Sequence, residues 1–138
     1  MPMPNAYQHA GEAFDRLLLD VRDRADLATR NQAYTVLEAV LRVFARRLSA
    51  EEVLRFAAVL PPVARALFVE QWRAGETAMF APRATLAEEV AAVRAHHNFA
   101  DAGAITAVAA AVRAVVDGAA FEAVLATLPV GAAAFWAL

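Results

Sequence analysis

The sequence predicts an all-α protein, a compact bundle of about eight helices built from two homologous four-helix repeats. Three observations support this fold class. Apolar residues recur at helical spacing through most of the chain, and no stretch alternates with the period of two that a half-buried strand requires. Several Ser/Thr-x-x-Glu/Gln motifs resemble helix starts. The stretch Leu60 to Phe68 returns near the C-terminus as Leu128 to Trp136.

The repeat extends upstream of these Leu-Pro pairs. The segment from Val21 to Phe44 aligns with Val93 to Val116 at an offset of 72 residues, and after Phe44 the offset falls to 68. The second copy is therefore shorter at one helix junction, where a deletion affects only a connection. The period exceeds the roughly 20–50 residues of common solenoid repeats, so a two-copy compact domain is the better interpretation. We predict one domain, 1–138, with repeat one at about 11–73, a linker at 74–84 and repeat two at about 85–138.

The first two helices are predicted from apolar residues at helical spacing, and the second of them also has a start signal. Helix one runs from about Gly11 to Arg24, after a short N-terminal tail. Thr29 and Gln32 form a predicted capping box that opens helix two, which continues to Arg47 or Leu48. Its predicted buried face contains Ala33, Val36, Leu37, Val40, Leu41, Phe44 and Leu48.

The second half of repeat one is bounded by serine and proline. Ser49 and Glu52 form another predicted capping box, which opens a short helix three. Pro61 and Pro62 end that helix, because proline lacks the amide proton and disfavours helical geometry in the residue before it. Pro62 can also open helix four, which extends to Trp72.

Repeat two follows a linker in which we expect Met79 and Phe80 to pin the chain to the surface. Thr85 and Glu88 predict a third capping box at the start of helix five. We expect Asp101 to cap helix six, and Asp117 with Gly118 to mark the break before helix seven. Pro129 ends helix seven, and a short last helix closes the chain. The predicted buried stripe of helix six contains Ile105, Val108, Ala109, Val112, Val115 and Val116.

Composition excludes several classes of function. The 138 residues include no cysteine, which rules out disulfides, thiolate metal sites and a cysteine nucleophile and fits a reducing, cytoplasmic setting. Lysine is absent too, so no Schiff base or Walker-type phosphate lysine can form. A net charge of −2 gives no drive toward nucleic acid or anionic lipid. We predict no secretory signal, no membrane span and no cofactor.

The residues that most often perform catalysis have simpler explanations here. Ser49 is the only serine and is explained as a helix cap. His96 and His97 are adjacent, so on a helix they point about 100° apart and cannot both grip one metal from a single face. We interpret them as exposed histidines at a helix C-terminus. We therefore predict no catalytic, cofactor-binding or metal-binding residue, which favours a protein that is not an enzyme.

Arginines cluster at the end of helix two. Glu38 precedes Arg42 by four residues and Glu51 precedes Arg55 by four, so we predict two helical ion pairs on a solvated, charge-paired face. The alternative is a weak anion site for phosphate or nucleic acid, although aromatic residues for base stacking are missing from that face. The patch consists of Arg42, Arg46 and Arg47.

Two motifs carry a resemblance to a known family. They are AVLRVFARRLSAEEV at Ala39 to Val53 and LPPVARALFVEQW at Leu60 to Trp72, followed by a reduced second copy. The pattern resembles the bacterial family called domain of unknown function 2267. The resemblance implies a duplicated helical fold in a bacterial cytoplasm and, because the family has no established activity, it implies no chemistry.

The last third of the chain suggests association. Between residues 102 and 138 only Arg113, Asp117 and Glu122 carry side-chain charge, and exposed apolar surface usually marks an interface. We therefore predict a non-catalytic interaction protein that forms a homo-oligomer or binds a protein partner. The alternative is a carrier or sensor of a small apolar ligand held between the repeats. The candidate ligand or interface residues are Phe68, Trp72, Met79, Phe80, Phe135 and Trp136.

Overall fold

The computed structural model describes all 138 residues, and the chain is helical without a strand. The helices are α1 (Asn5–Gln8), α2 (Ala10–Arg24), α3 (Arg30–Ala45), α4 (Ala50–Ala57), α5 (Pro62–Gln71), α6 (Arg83–Ala92), α7 (Ala104–Arg113), α8 (Gly118–Leu125) and α9 (Ala132–Phe135). A 3₁₀ turn at Ala95–His97 lies between α6 and α7. The predicted all-α class is confirmed.

The bundle has nine helices because the predicted tail contains α1, a single turn with no buried residue. The order of the other eight elements is the same in the two halves: α4 and α8 are both eight residues long, and each is followed by a Leu-Pro corner and another helix. Descent of the two halves from one duplicated unit stays a prediction.

Helix α3 is the central element and contacts α2, α5, α6 and α7. Its apolar stripe is as the periodicity predicts, because Val36, Leu37, Val40 and Phe44 are completely buried. Arg42, one turn from the end, is only partly buried and faces outward. The helix therefore contributes both to the core and to the surface described below.

An aromatic cluster joins the two halves around the ring of Phe44. Its centroid lies 4.8 Å from that of Phe56, 4.9 Å from Phe135 and 5.4 Å from Trp136. Tilted and edge-on ring pairs at these distances add about 0.5–1.5 kcal/mol each beyond the area they bury. Since Phe56 belongs to α4 while Phe135 belongs to α9, the core of the first half is continuous with that of the second.

Two predicted capping boxes are confirmed. The amide N–H of Gln32 donates to the Thr29 hydroxyl at 3.1 Å, and the Glu52 N–H donates to the Ser49 hydroxyl at 3.3 Å. In each box the residue at the third position also returns its side chain to the backbone at the N-cap. The starts of α3 and α4 are therefore fixed locally by the sequence.

The predictions of a third capping box and of a helix cap by Asp101 are wrong. Helix α6 begins at Arg83, directly after Pro82, so Thr85 lies inside the first turn with no amide to cap. The Asp101 carboxylate accepts from the Gly103 N–H at 2.8 Å within a tight turn, and α7 begins one residue later at Ala104. Pro82 has a fixed φ suited to the residue before a helix, and that fixed φ replaces the predicted side-chain cap.

Two apolar residues differ from their predicted burial. Val115 is 47% exposed because α7 ends at Arg113, and the helical period no longer applies beyond that point. Met79 is 86% exposed, so it does not pin the linker. Phe80 does, since its ring packs 6.0 Å from Phe44 and against the backbone of Gly131.

Candidate functional site

Two surface concavities are candidate functional sites. The first, which we call the arginine pocket, has a volume of about 550 Å³ and lies between the end of α3, the end of α5 and the linker. Its lining includes Arg42, Arg46, Gln71, Arg73, Gly75 and Glu76. The second, which we call the corner groove, has a volume of about 480 Å³. It is lined by Ala6, Ala13, Arg16, Val59, Pro61, Pro62, Val115, Val116 and Asp117.

The arginine pocket contains only part of the predicted anion patch. Arg42 and Arg46 line it, whereas Arg47 points inward and its side chain is 4% exposed. The Arg47 guanidinium donates to both carboxylate oxygens of Glu89, at 2.6 and 3.1 Å. It also donates to the backbone carbonyls of Val43 and Met79. Arg47 is therefore a structural clamp between α3, the linker and α6, with little capacity for a ligand.

The clamp sets the charge state of Glu89. Burial alone would raise the pKa of this carboxyl, but hydrogen bonds from Arg47 and Arg46 outweigh burial and lower it below its ordinary value. The Arg46 guanidinium contributes a bond of 2.9 Å. Glu89 is consequently ionised near neutral pH and neutralises part of the charge of these two arginines.

The predicted Glu38–Arg42 ion pair does not form. Glu38 accepts instead from the Tyr34 hydroxyl at 3.3 Å and from Arg94 at 3.4 Å. Burial, followed by the nearby Glu38 carboxylate, raises the pKa of Tyr34, so its hydroxyl keeps the proton that it donates. Arg42 turns toward α5, where its Nε donates to the Gln71 side-chain carbonyl at 3.0 Å. The other predicted pair, Glu51–Arg55, is confirmed at 2.9 Å.

Gln71 holds Arg42 in a fixed orientation. The Gln71 side chain is buried and its amide nitrogen donates to the Leu67 carbonyl at 3.2 Å, which leaves its oxygen for Arg42. Arg42 takes part in no ion pair, and neither does Arg73, whose guanidinium donates only to the carbonyls of Glu70 and Trp72. The pocket thus presents two guanidinium groups without a carboxylate partner.

The corner groove is mainly apolar. The corner between α4 and α5, with Val59, Pro61 and Pro62, forms one wall, and the corner after α7 forms another. Ala6 and Ala13 lie between the walls. Arg16 and Asp117 are the charged residues of the lining, and neither takes part in an ion pair. Asp117 also caps α8 through the Ala120 N–H at 2.9 Å.

The predicted ligand or interface aromatics occupy a different part of the molecule. Phe68, Phe135 and Trp136 are buried in the aromatic cluster, and the Trp72 indole N–H donates to the Leu48 carbonyl at 2.9 Å. Neither concavity is lined by any of them or by Met79 and Phe80. The rings of Phe68, Phe80, Phe135 and Trp136 pack against the ring of Phe44, whereas Met79 is exposed.

The histidines lie on the 3₁₀ turn after α6. Both His96 and His97 are exposed, and no group of three metal-ligating side chains surrounds them or occurs elsewhere in the chain. None of the helices combines the length and the hydrophobicity that a membrane crossing requires.

Sequence reasoning missed two parts of these sites. The sequence places Arg73 only at the boundary of the first repeat, and it does not predict the groove. The groove could have been anticipated from the proline corner at residues 61 and 62, but its other wall depends on how α7 packs.

Comparison with known families identifies the chain. Residues 14–135 match the profile of a family described as "Uncharacterized conserved protein (DUF2267)". No curated protein matches the sequence. The match runs from Phe14, within α2, to Phe135 of α9 and therefore includes the residues of the arginine pocket and most of those of the corner groove. The chain belongs to the family of domain of unknown function 2267.

Proposed function

We propose that this protein is a non-catalytic helical interaction protein that self-associates through the corner groove. The observation that carries the proposal is an apolar concavity with one unpaired positive charge and one unpaired negative charge in its lining. Apolar residues grouped with two unpaired charges in one concavity offer a surface that a partner of matching shape and charge can cover. We place the protein in a bacterial cytoplasm, in keeping with the absence of cysteine.

Charge complementarity favours a second copy of the chain as the occupant. In a dimer with two-fold symmetry the same patch faces itself, so its charges must be self-complementary. Arg16 of one copy can then lie opposite Asp117 of the other, and the reciprocal pair forms by symmetry. The apolar residues between them, including Val115, would be removed from water in the same step.

Val115 is the residue of choice for breaking the proposed dimer. Its side chain is 47% exposed, so Val115→Asp changes surface rather than core. Val69→Asp is a matched control, because Val69 is 42% exposed on α5 and does not line the groove. Sedimentation equilibrium over a concentration series should show dimerisation in the wild type and in Val69→Asp, and at least about tenfold weaker dimerisation in Val115→Asp.

An exchange of charges separates loss of the interface from loss of the fold. Arg16→Asp and Asp117→Arg should each weaken self-association, since each places like charges opposite each other. An equimolar mixture of the two variants should dimerise again, because the pairs between unlike copies are then attractive. Wild-type protein that stays monomeric up to about 1 mM, or a mixture that fails to associate while both variants remain folded, would overturn the proposal.

A further inference from the structure

We propose that the arginine pocket binds a phosphate group carried by a small molecule. This site is separate from the corner groove and does not depend on self-association. The inference starts from the charge of its lining: three guanidinium groups, from Arg42, Arg46 and Arg73, surround the pocket together with one carboxylate, from Glu76. The nearby Glu89 carboxylate is already engaged by Arg46 and Arg47.

The orientation of Arg42 is the first specific observation. Only its Nε is used, in the bond to Gln71, and its two terminal nitrogens donate to no protein acceptor. A planar guanidinium held by a buried amide loses little further freedom when it binds a ligand. Its free edge matches the paired oxygens of a phosphate, which arginine binds with two parallel hydrogen bonds.

The linker backbone is the second observation. From Ala74 to Thr77 the amide N–H groups donate to no protein acceptor, whereas the Ala78 N–H donates to the Arg46 carbonyl at 2.9 Å and ties the loop to the end of α3. Gly75 has a φ of +138°, which only glycine adopts without strain, so the loop bends sharply at the pocket wall. Unused amides beside arginines add donors for an anion.

Size and lining select the class of ligand. A volume of about 550 Å³ lies within the roughly 300–1,000 Å³ typical of small-molecule sites. The lining contains no aromatic residue on which a nucleic-acid base could stack, so a small phosphorylated compound fits better than a nucleic-acid strand. The predominance of polar residues likewise disfavours an apolar ligand.

Titration calorimetry with inorganic pyrophosphate at low ionic strength tests this assignment. We expect one site per chain, with affinity that falls as salt is added. Arg42→Gln and Arg73→Gln should each weaken binding by about tenfold or more, as expected for the loss of a hydrogen bond between charged groups. Arg30→Gln is the matched control, because Arg30 pairs with Asp15 on the surface away from the pocket.

Glu76→Gln gives a readout that a purely structural role would not produce. Because it removes the one carboxylate of the lining, it should tighten pyrophosphate binding severalfold. Arg73 and Glu76 are both exposed, so their variants should keep the wild-type melting temperature even if Arg42→Gln does not.

Three results would overturn the assignment. The first is the absence of a calorimetric signal and of any shift of the Gly75 amide resonance at millimolar pyrophosphate. The second is equal binding by the wild type, Arg73→Gln and Glu76→Gln. The third is tighter binding of a short single-stranded DNA than of pyrophosphate, weakened by the same arginine variants, which would assign the pocket to nucleic acid.

Discussion

The two halves of the molecule repeat the same order of helices but fix the helix ends differently. In the first half, α3 and α4 begin at capping boxes formed by residues three positions apart, Thr29 with Gln32 and Ser49 with Glu52. In the second half α8 has a side-chain cap, from Asp117, but α7 begins after Gly103 without one. Helices α2 and α5 of the first half and α6 of the second also begin without a side-chain cap.

Side chains outside a helix bond its last carbonyls in both halves, as Arg65 does for Ala57 and Leu60 after α4. The Asn98 side chain donates to the carbonyls of Val90 and Val93 at the end of α6, both at 2.8 Å. One Arg83 nitrogen donates to three carbonyls around α9, those of Ala134, Phe135 and Ala137. The last carbonyls of a helix have no N–H partner within the helix, so Arg83 supplies hydrogen-bond donors that the residues next to α9 do not provide.

The comparison shows which helix ends are determined by nearby residues and which by contacts that are distant in the sequence. The starts of α3 and α4 follow from neighbouring residues, as does the start of α8, whereas α7 begins without a side-chain cap and the end of α9 depends on Arg83, at least 51 residues away in the sequence. The charge pattern agrees, because only three charged side chains lie between residues 102 and 138. Mutations that disturb tertiary contacts should therefore act strongly on α9 and the residues packed against it.

Among the substitutions considered, Gly131→Ala should reduce the stability of the protein most, because it disturbs the packing of the linker on the start of α9. Gly131 has a φ of +106°, and a β-carbon built there would lie 2.5 Å from Cβ of Phe80, the residue that pins the linker. Backbone strain and displacement of the Phe80 ring together should destabilise the protein by about 3 kcal/mol. Chemical denaturation followed by circular dichroism measures the loss.

Gly118→Ala is the matched control for that substitution. Gly118 is the first residue of α8, it has no positive φ, and a β-carbon there would meet nothing within 4 Å. We expect its free energy of unfolding to change by less than about 0.5 kcal/mol. Equal effects of the two substitutions would contradict the packing of Phe80 on Gly131.

Glu89→Gln should give the next largest effect, because Glu89 joins the halves through Arg47. Loss of the carboxylate leaves a buried guanidinium without its counter-charge, and we expect a destabilisation of about 2 kcal/mol at pH 7. The pKa of Glu89 is lower in the folded protein than its ordinary value of 4.5, so the unfolded chain binds more protons below neutrality.

The resulting pH dependence has a definite sign. The stabilisation by ionised Glu89 is complete above the ordinary pKa and is lost as the pH falls through the lower pKa of the folded protein. The difference in unfolding free energy between wild type and Glu89→Gln should therefore be constant from about pH 6 to 7 and shrink below about 4.5. Asp20→Asn, which breaks an exposed pair with Arg24, should change stability by less than about 1 kcal/mol.

The fold could be predicted from sequence wherever the signal is local. The buried face of α3, the two capping boxes and the proline corner at 61 and 62 require only residues within one or two turns of each other. The start of α6 is predicted two residues too late, because Thr85 and Glu88 fit the capping pattern while the helix begins at Arg83, directly after Pro82. Val115 was misplaced for a related reason: the sequence does not reveal that α7 ends at Arg113.

The candidate sites were less accessible to sequence reasoning. Arg42 and Arg46 were identified by their clustering, but Arg47 has the same sequence context and turns inward to Glu89, 42 residues away. Arg42 and Glu38 have the spacing of an ion pair, yet Tyr34 and Arg94 compete for Glu38. Which member of an arginine cluster remains free therefore depends on partners that only the tertiary structure brings close.

A pair of threonine substitutions gives the smallest effect and the sharpest test of the contrast between the halves. Thr29 and Thr85 occur in similar capping motifs, but only the Thr29 hydroxyl accepts an amide hydrogen bond. Thr29→Ala should destabilise the protein by about 1 kcal/mol, the usual effect of losing an N-cap. Thr85→Ala should stabilise it by a few tenths of a kcal/mol, because Thr85 is exposed inside α6 and alanine has the higher helix propensity. Opposite shifts of the denaturant midpoint would establish that similar local motifs cap a helix in one half and do not in the other. Equal losses of stability would mean that α6 begins at Thr85.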